Sequence, residues 1–370
     1  MRRKRRIILM VLSVPVLAWL LIFALNWHSR LYHVTVLPKF NHRVVTPCAI
    51  NDRGQIVGFC EGRFLLWERE ARWRELGRSL DRLYINNTGQ IAGTVEDPNY
   101  RMQSSLWDPK TGRTIRDPNY SSHAFLWDPN EGLTMVGTLG TGMSTTRALN
   151  NRGQIVGRCW STPGGGGVFL WDEARGMRAI AEVDNSPQAM NDTGQIIACR
   201  GERMPPQPVF WEPAEDGSVA ETLLPSGAFC DLNNHGCVLG SAFNFDERKH
   251  YVFIWHQDRG VEWLFPLENQ MARVAALNDA NMVAVCEEVH SGWLERLTGR
   301  HFGPYKESFV WTRERGRVFL DGYVLTRRGE HFDIRGLNNG GSIIGMVGLE
   351  GRSEGRRAVL LEPIPERWGR

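Results

Sequence analysis

The chain has 370 residues, a formal net charge of +3, 42% hydrophobic residues and 14 Trp. That is ample for a sizeable core and excludes a disordered or low-complexity protein. Five positive charges sit in Arg2-Arg3-Lys4-Arg5-Arg6, which leaves −2 for the remainder, so the composition offers no basic face for nucleic acid.

Residues 1–6 read as a basic cytoplasmic tail and residues 7–27 as a single N-terminal transmembrane signal anchor. The stretch Ile7 to Trp27 carries no charge and would be about 31 Å long as a helix, enough to span a bilayer. Pro15 inside it is better tolerated in a membrane than in water. The basic cluster in front holds the N-terminus in the cytoplasm. A cleaved signal peptide is the rival reading, but the run is long for one and Ala24-Leu25-Asn26 is a poor cleavage site. Either reading puts residues 44–370 outside the cytoplasm, periplasmic or extracellular.

Residues 28–43 form a linker, within which Leu31 to Leu37 reads as a strand. Beyond it the chain repeats itself. Ala49-Ile50-Asn51-Asp52-Arg53-Gly54-Gln55-Ile56-Val57-Gly58 returns with turns beginning at Asn86, Asn150, Asn191, Asn233, Asn278 and Asn338. Two apolar runs flanking Asn, Asp and Gly describe an antiparallel hairpin whose fourth turn residue needs positive φ. In the sixth copy Asn281 replaces Gly, and Asn is the next most tolerant residue there.

A third apolar run follows each hairpin: Phe64-Leu65-Leu66-Trp67, Ser105-Leu106-Trp107, Val168-Phe169-Leu170-Trp171, Val209-Phe210-Trp211, Phe253-Ile254-Trp255, Phe309-Val310-Trp311 and Val359-Leu360-Leu361. An acidic residue often comes next, then a fourth short run such as Trp73 to Leu76. Four short strands at a period of about 42 residues describe a propeller blade. The expected fold is all-β, a seven-bladed β-propeller over residues 44–370. The last copy has little chain left for a fourth strand, so the strand around Val34 is expected to complete it.

The second copy contains a duplication: Asp97-Pro98-Asn99-Tyr100 recurs as Asp117-Pro118-Asn119-Tyr120. It reads as an extra hairpin on blade 2 rather than an eighth blade. Ser122-His123-Ala124-Phe125-Leu126-Trp127-Asp128, Gly137-Thr138-Leu139-Gly140 and Ala148 to Gly157 together resemble the extracellular HAF-repeat family of exported bacterial proteins. The likeness spans about residues 44–361. It implies export and a β-repeat architecture, and carries no catalytic residue.

The seven cysteines recur at strand positions and read as small buried hydrophobes, with one or two bridges as the alternative. Hairpin register would set Cys48 opposite Val57. The repeated Asn residues read as caps of their own hairpins, and the Trp ladder as blade-to-blade packing. There is no catalytic signature, no metal-ligand cluster and no cofactor loop. Gly164 to Gly167 lacks the Lys-Ser/Thr of a phosphate site.

The first-to-second turns are nearly uniform, whereas the links from second to third strands differ. These are Trp160 to Gly167, Arg200 to Pro208, Ser241 to Tyr251, and Glu287 to Lys306. Function tends to reside on variable loops held by a rigid scaffold. The ligand-binding candidates are therefore Trp160, Arg203, Phe243, His250, Trp293, Arg300, His301 and Tyr305. The expected function is a membrane-anchored binding module of the cell envelope with a protein or glycan partner. A polysaccharide hydrolase or lyase, and a structural envelope component, are the alternatives.

Overall fold

The computed structural model describes residues 31–69, 72–80, 82–96, 106–108, 113–115, 122–139, 142–161, 165–182, 185–201, 207–268, 272–289, 305–324, 330–349 and 355–368. Seven four-stranded antiparallel sheets follow one another along the chain. The first comprises Thr46–Ile50, Ile56–Cys60, Arg63–Trp67 and Arg74–Arg78. The first strands of successive blades pack against one another and surround a central channel. The fold is a seven-bladed β-propeller.

The hairpin reading explains the first two strands of every blade. Five residues separate them in all seven, from Asn51–Gln55 to Asn338–Ser342. Gly54 adopts φ 77° and Asn281 φ 57°, the conformation the turn demands of its fourth residue. The second strand then often carries Gly, and packing gives the reason. Gly93, Gly157 and Gly240 lie opposite Phe125, Phe169 and Phe253. A Cβ on Gly157 would come within 2.6 Å of the Phe169 ring and 2.0 Å of the Thr145 carbonyl.

Those phenylalanines anchor the core. Phe64, Phe125, Phe169, Phe210 and Phe309 are wholly buried, deeper than the tryptophans that follow them. They bridge blades: Phe64 and Leu66 of blade 1 share a cluster with Ile91, Phe125 and Trp127 of blade 2. This corrects the assignment of the third strand in blade 2. Ser122–Asp128 takes that place, while Leu106–Asp108 and Arg113–Ile115 form a separate two-stranded sheet. The copy at Ser105 has no phenylalanine to fill the space beside Gly93, and the copy at Phe125 does.

A bulge corrects the register around Cys48. Ala49, not Cys48, faces Val57, and the same one-residue shift recurs three positions before Asn in blades 3, 4, 5, 6 and 7. All seven cysteines are free thiols, three of them buried.

Blade 7 takes its outermost strand from the other end of the chain. Tyr32–Val36 pairs antiparallel with Arg357–Pro363, Val34 opposite Leu361. Tyr32, buried to 1% exposure, meets Tyr323 and Trp368 edge-on at 5.9 and 5.4 Å. No helix among the described residues is long and apolar enough to cross a membrane, and residues 7–27 lie outside the described residues.

Candidate functional site

One mouth of the channel is built from the seven hairpin turns and has a volume of 290 Å³. The seven asparagines there are buried, between 3% and 6% exposed. Each Oδ1 caps its own turn: Asn191 accepts from the Thr193 and Gln195 N–H groups at 3.2 and 2.9 Å. The amide does something the local pattern does not reveal. Asn51 Nδ2 donates to the carbonyl of Asn86, Asn86 to Asn150, and so on through Asn191, Asn233, Asn278 and Asn338, which donates back to Asn51. These seven bonds run from 2.8 to 3.3 Å and close a circle.

A second circle lies beside it. The backbone N–H of each following residue donates to the side chain of its counterpart in the next blade, at 2.6 to 2.9 Å, through Asp52, Asn87, Asn151, Asp192, Asn234, Asp279 and Asn339. No two aspartates are neighbours in this order. Asp52 Oδ2 accepts from both flanking amides, Asn87 at 2.7 Å and Asn339 at 3.1 Å. An asparagine between carboxylates supplies donors and prevents like charges from meeting.

In blades 1 to 4 the second amide hydrogen of Asn goes to Gln55, Gln90, Gln154 or Gln195, at 2.7 or 2.8 Å. Three of these glutamines reach the acid that follows the third-strand Trp, Glu68, Asp128 or Glu212. The recurrent acidic residue thus belongs to the scaffold. Blade 5 departs three times in one place. Cys237 stands for Gln, His256 stands for the acid, and the next turn carries Asn281 for Gly. The changes compensate. Asn233 donates to Asn281 Oδ1 at 2.9 Å instead, while Cys237 Sγ and His256 Nδ1 are 3.4 Å apart and His256 Nε2 lies 3.3 Å from Glu262.

Asp231 also lines this mouth, where other blades have Ala, Tyr or Gly. It accepts from the Leu232 and Leu277 N–H groups at 2.9 and 2.8 Å. Burial among the first strands outweighs those bonds and pushes its carboxyl up to about 6.

The opposite mouth faces the variable links. Of the eight candidates, Trp160, Phe243 and His250 are described with their side chains, and all three lie within strands rather than loops. The strands Ile155–Ser161, Val238–Asn244 and Lys249–His256 run further outward than expected. Trp160 lies on blade 3 with the Arg158 guanidinium 4.9 Å from its ring. Phe243 and His250 face each other across blade 5, rings 5.3 Å apart, and Phe245 joins them at 5.1 Å. Tyr305 opens the strand Tyr305–Thr312. Arg203, Trp293, Arg300 and His301 lie outside the described residues.

On the same side a hollow of 380 Å³ separates blades 6 and 7, lined by Arg273, Cys286, Glu287, Lys306, His331, Phe332, Asp333 and Arg335. Asp333 holds two guanidiniums, Arg273 at 2.7 Å and Arg335 at 2.6 Å. Sequence reading missed this group. Arg335 is a bulge residue, and nothing in spacing alone brings it to Arg273, which lies 62 positions earlier.

No family model matches the chain, and no curated protein sequence is similar to it. Solved structures are similar in fold. A streptogramin B lyase superposes with a TM-score of 0.53 at 10% identity, covering 90% of this chain and 98% of that one. A catalytically inactive virginiamycin B lyase from Staphylococcus aureus with quinupristin gives 0.51 at 9%, covering 90% and 100%. The propeller domain of a protease from Pyrococcus furiosus, of open velcro topology, gives 0.50 at 12%, covering 77% and 82%. At such identities the likeness is one of fold alone.

Proposed function

We propose that the chain is a membrane-anchored module of the cell envelope that binds a glycan on the face of the variable links. The observation that carries this is the aromatic cluster on blade 5. Phe245 is 83% exposed and Phe243 39%, with His250 beside them. Exposed aromatic groups of this size mark interaction surfaces, and rings beside a polar group suit the faces of sugars.

The other face argues for the same division of labour. Its polar groups are committed to the two circles, so few remain for a partner. The entry of the chain supports the anchor. Leu31 is held at the hairpin-turn end of blade 7, its carbonyl accepting from Ile364 N–H at 2.8 Å and Trp368 Nε1 at 3.1 Å. Residues 28–30 alone separate it from the apolar run 7–27, a reach of about 11 Å. An anchor there would hold the turn face to the membrane and direct the variable face outward. The resemblance to the extracellular HAF-repeat family supports export.

The test is retention on immobilised envelope polysaccharides by the wild type and by a Phe243→Ser, Phe245→Ser double variant. Retention lost in the variant, at an unchanged unfolding midpoint, supports the reading. Equal retention of both sinks it, and recovery of a protein but no glycan makes the module a protein binder. A polysaccharide lyase or hydrolase is the second reading, favoured by His331 sharing a hollow with Lys306 and Arg273. Release of shortened or unsaturated oligosaccharide by the purified protein is its measure.

A further inference from the structure

We propose that the hollow between blades 6 and 7 binds a carboxylate-bearing sugar, so that the glycan taken by this module is an acidic one. The inference rests on the glycan-binding reading and adds the charge of the ligand and a second contact point for it.

The hollow, 380 Å³, falls within the range of small-ligand sites and would accommodate one sugar unit. Its charge is unbalanced. Glu287, 1% exposed, accepts from the Glu268 N–H and pairs with Arg317 at 3.6 Å, outside the lining. The lining as a whole carries three cations, Arg273, Lys306 and Arg335, against two carboxylates, Glu287 and Asp333, with His331 beside them. A hollow with an excess of cationic groups favours an anion.

The guanidiniums are also set in place before any ligand arrives. Asp333 takes Arg273 on one oxygen and Arg335 on the other. Arg273 further donates to the Ile334 carbonyl. A guanidinium carries five N–H donors, so these bonds leave several unspent. Both side chains remain partly open to solvent, at 41% and 37%. Fixed, partly exposed guanidiniums bind carboxylates at reduced entropic cost. The sites are on one side of the molecule: Lys306 pairs with Glu288 at the outer end of the second and third strands of blade 6, and Phe243 and His250 belong to the corresponding hairpin of blade 5.

Calorimetric titration with a polyuronate, a matched neutral glucan and inorganic phosphate tests this. The wild type is expected to bind the polyuronate, and an Arg273→Gln, Arg335→Gln double variant to lose at least about tenfold in affinity. Lys306→Gln, which leaves the Asp333 cluster intact, is expected to weaken binding in the same direction. Neutral-glucan retention through Phe243 and Phe245 should be unchanged in all of them. Equal affinity for polyuronate and neutral glucan overturns the inference while leaving the glycan module standing. Phosphate displacing polyuronate at comparable concentration overturns it in favour of a general anion site. No binding of either polysaccharide removes the proposed function itself.

Discussion

Asn338 donates its amide to the carbonyl of Asn51 at 2.9 Å, joining residues 287 positions apart. Asn339 N–H reaches Asp52 Oδ1 at 2.8 Å alongside it. These bonds finish both circles, so ring closure rests on turn residues as well as on the pairing of Tyr32–Val36 with Arg357–Pro363. Replacing Asn338 by Ala removes the acceptor for the Ser342 N–H and the donor to Asn51. A loss of about 3 kcal/mol is expected, read as a lowered urea midpoint. A loss under about 1 kcal/mol would mean that the circle contributes nothing beyond local capping.

The spacing of acids in the second circle gives a pH signature. Asn87→Asp would put a carboxylate against Asp52, whose Oδ2 now accepts from Asn87 Nδ2 at 2.7 Å. The variant should lose about 2 kcal/mol at neutral pH and recover most of it on acidification below the carboxylate range. Stability curves of both proteins against pH check this; a loss independent of pH would contradict it.

Cys237 and Asn281 should be energetically coupled. Asn281→Gly alone removes the acceptor for the Asn233 amide, and Cys237→Gln alone crowds an amide already bonded. Together they restore the pattern of blades 1 to 4. A double-mutant cycle is expected to give a favourable coupling of about 1 kcal/mol. Additive effects would show that the departures at Cys237 and Asn281 are independent.

Two half-buried acids set a further dependence on pH. Asp231 and Asp321 are both pushed up to about 6 in the folded chain by burial, against 3.8 for an ordinary aspartate. The folded state therefore holds more protons than the unfolded one between those values. The stabilisation is complete below about 4 and is lost as pH rises through about 6, by at most about 3 kcal/mol per group. Unfolding free energy measured from pH 4 to 7 should fall less steeply in Asp231→Asn than in the wild type. An identical slope would refute the assignment.

What could be read in the chain follows the range of each interaction. Turn, strand order and blade count were legible because Asn51 to Gly54 and Phe64 to Trp67 repeat with their own local chemistry. The third strand of blade 2 was misplaced at Ser105 because two copies compete, and only packing against Gly93 favours Phe125. The amide circle was hidden because one Asn serves several partners, and only its Oδ1 contacts and, in blades 1 to 4, its bond to Gln lie within its own turn. The pairing of Arg273 with Asp333 was out of reach for a similar reason, since both residues look ordinary beside their sequence neighbours.

The two circles also decide where this chain could grow. Every first-to-second turn is five residues long, and one more residue in any of them would pull two donors off their acceptors at once. Additions instead fall between second and third strands, at positions 97–121 and 290–304 of the sequence, where the flanking strand ends lie opposite the turns. Half of the molecule is thus frozen in length while the other half is free to acquire new sequence. A descendant with a changed specificity would be expected to differ almost wholly on that side.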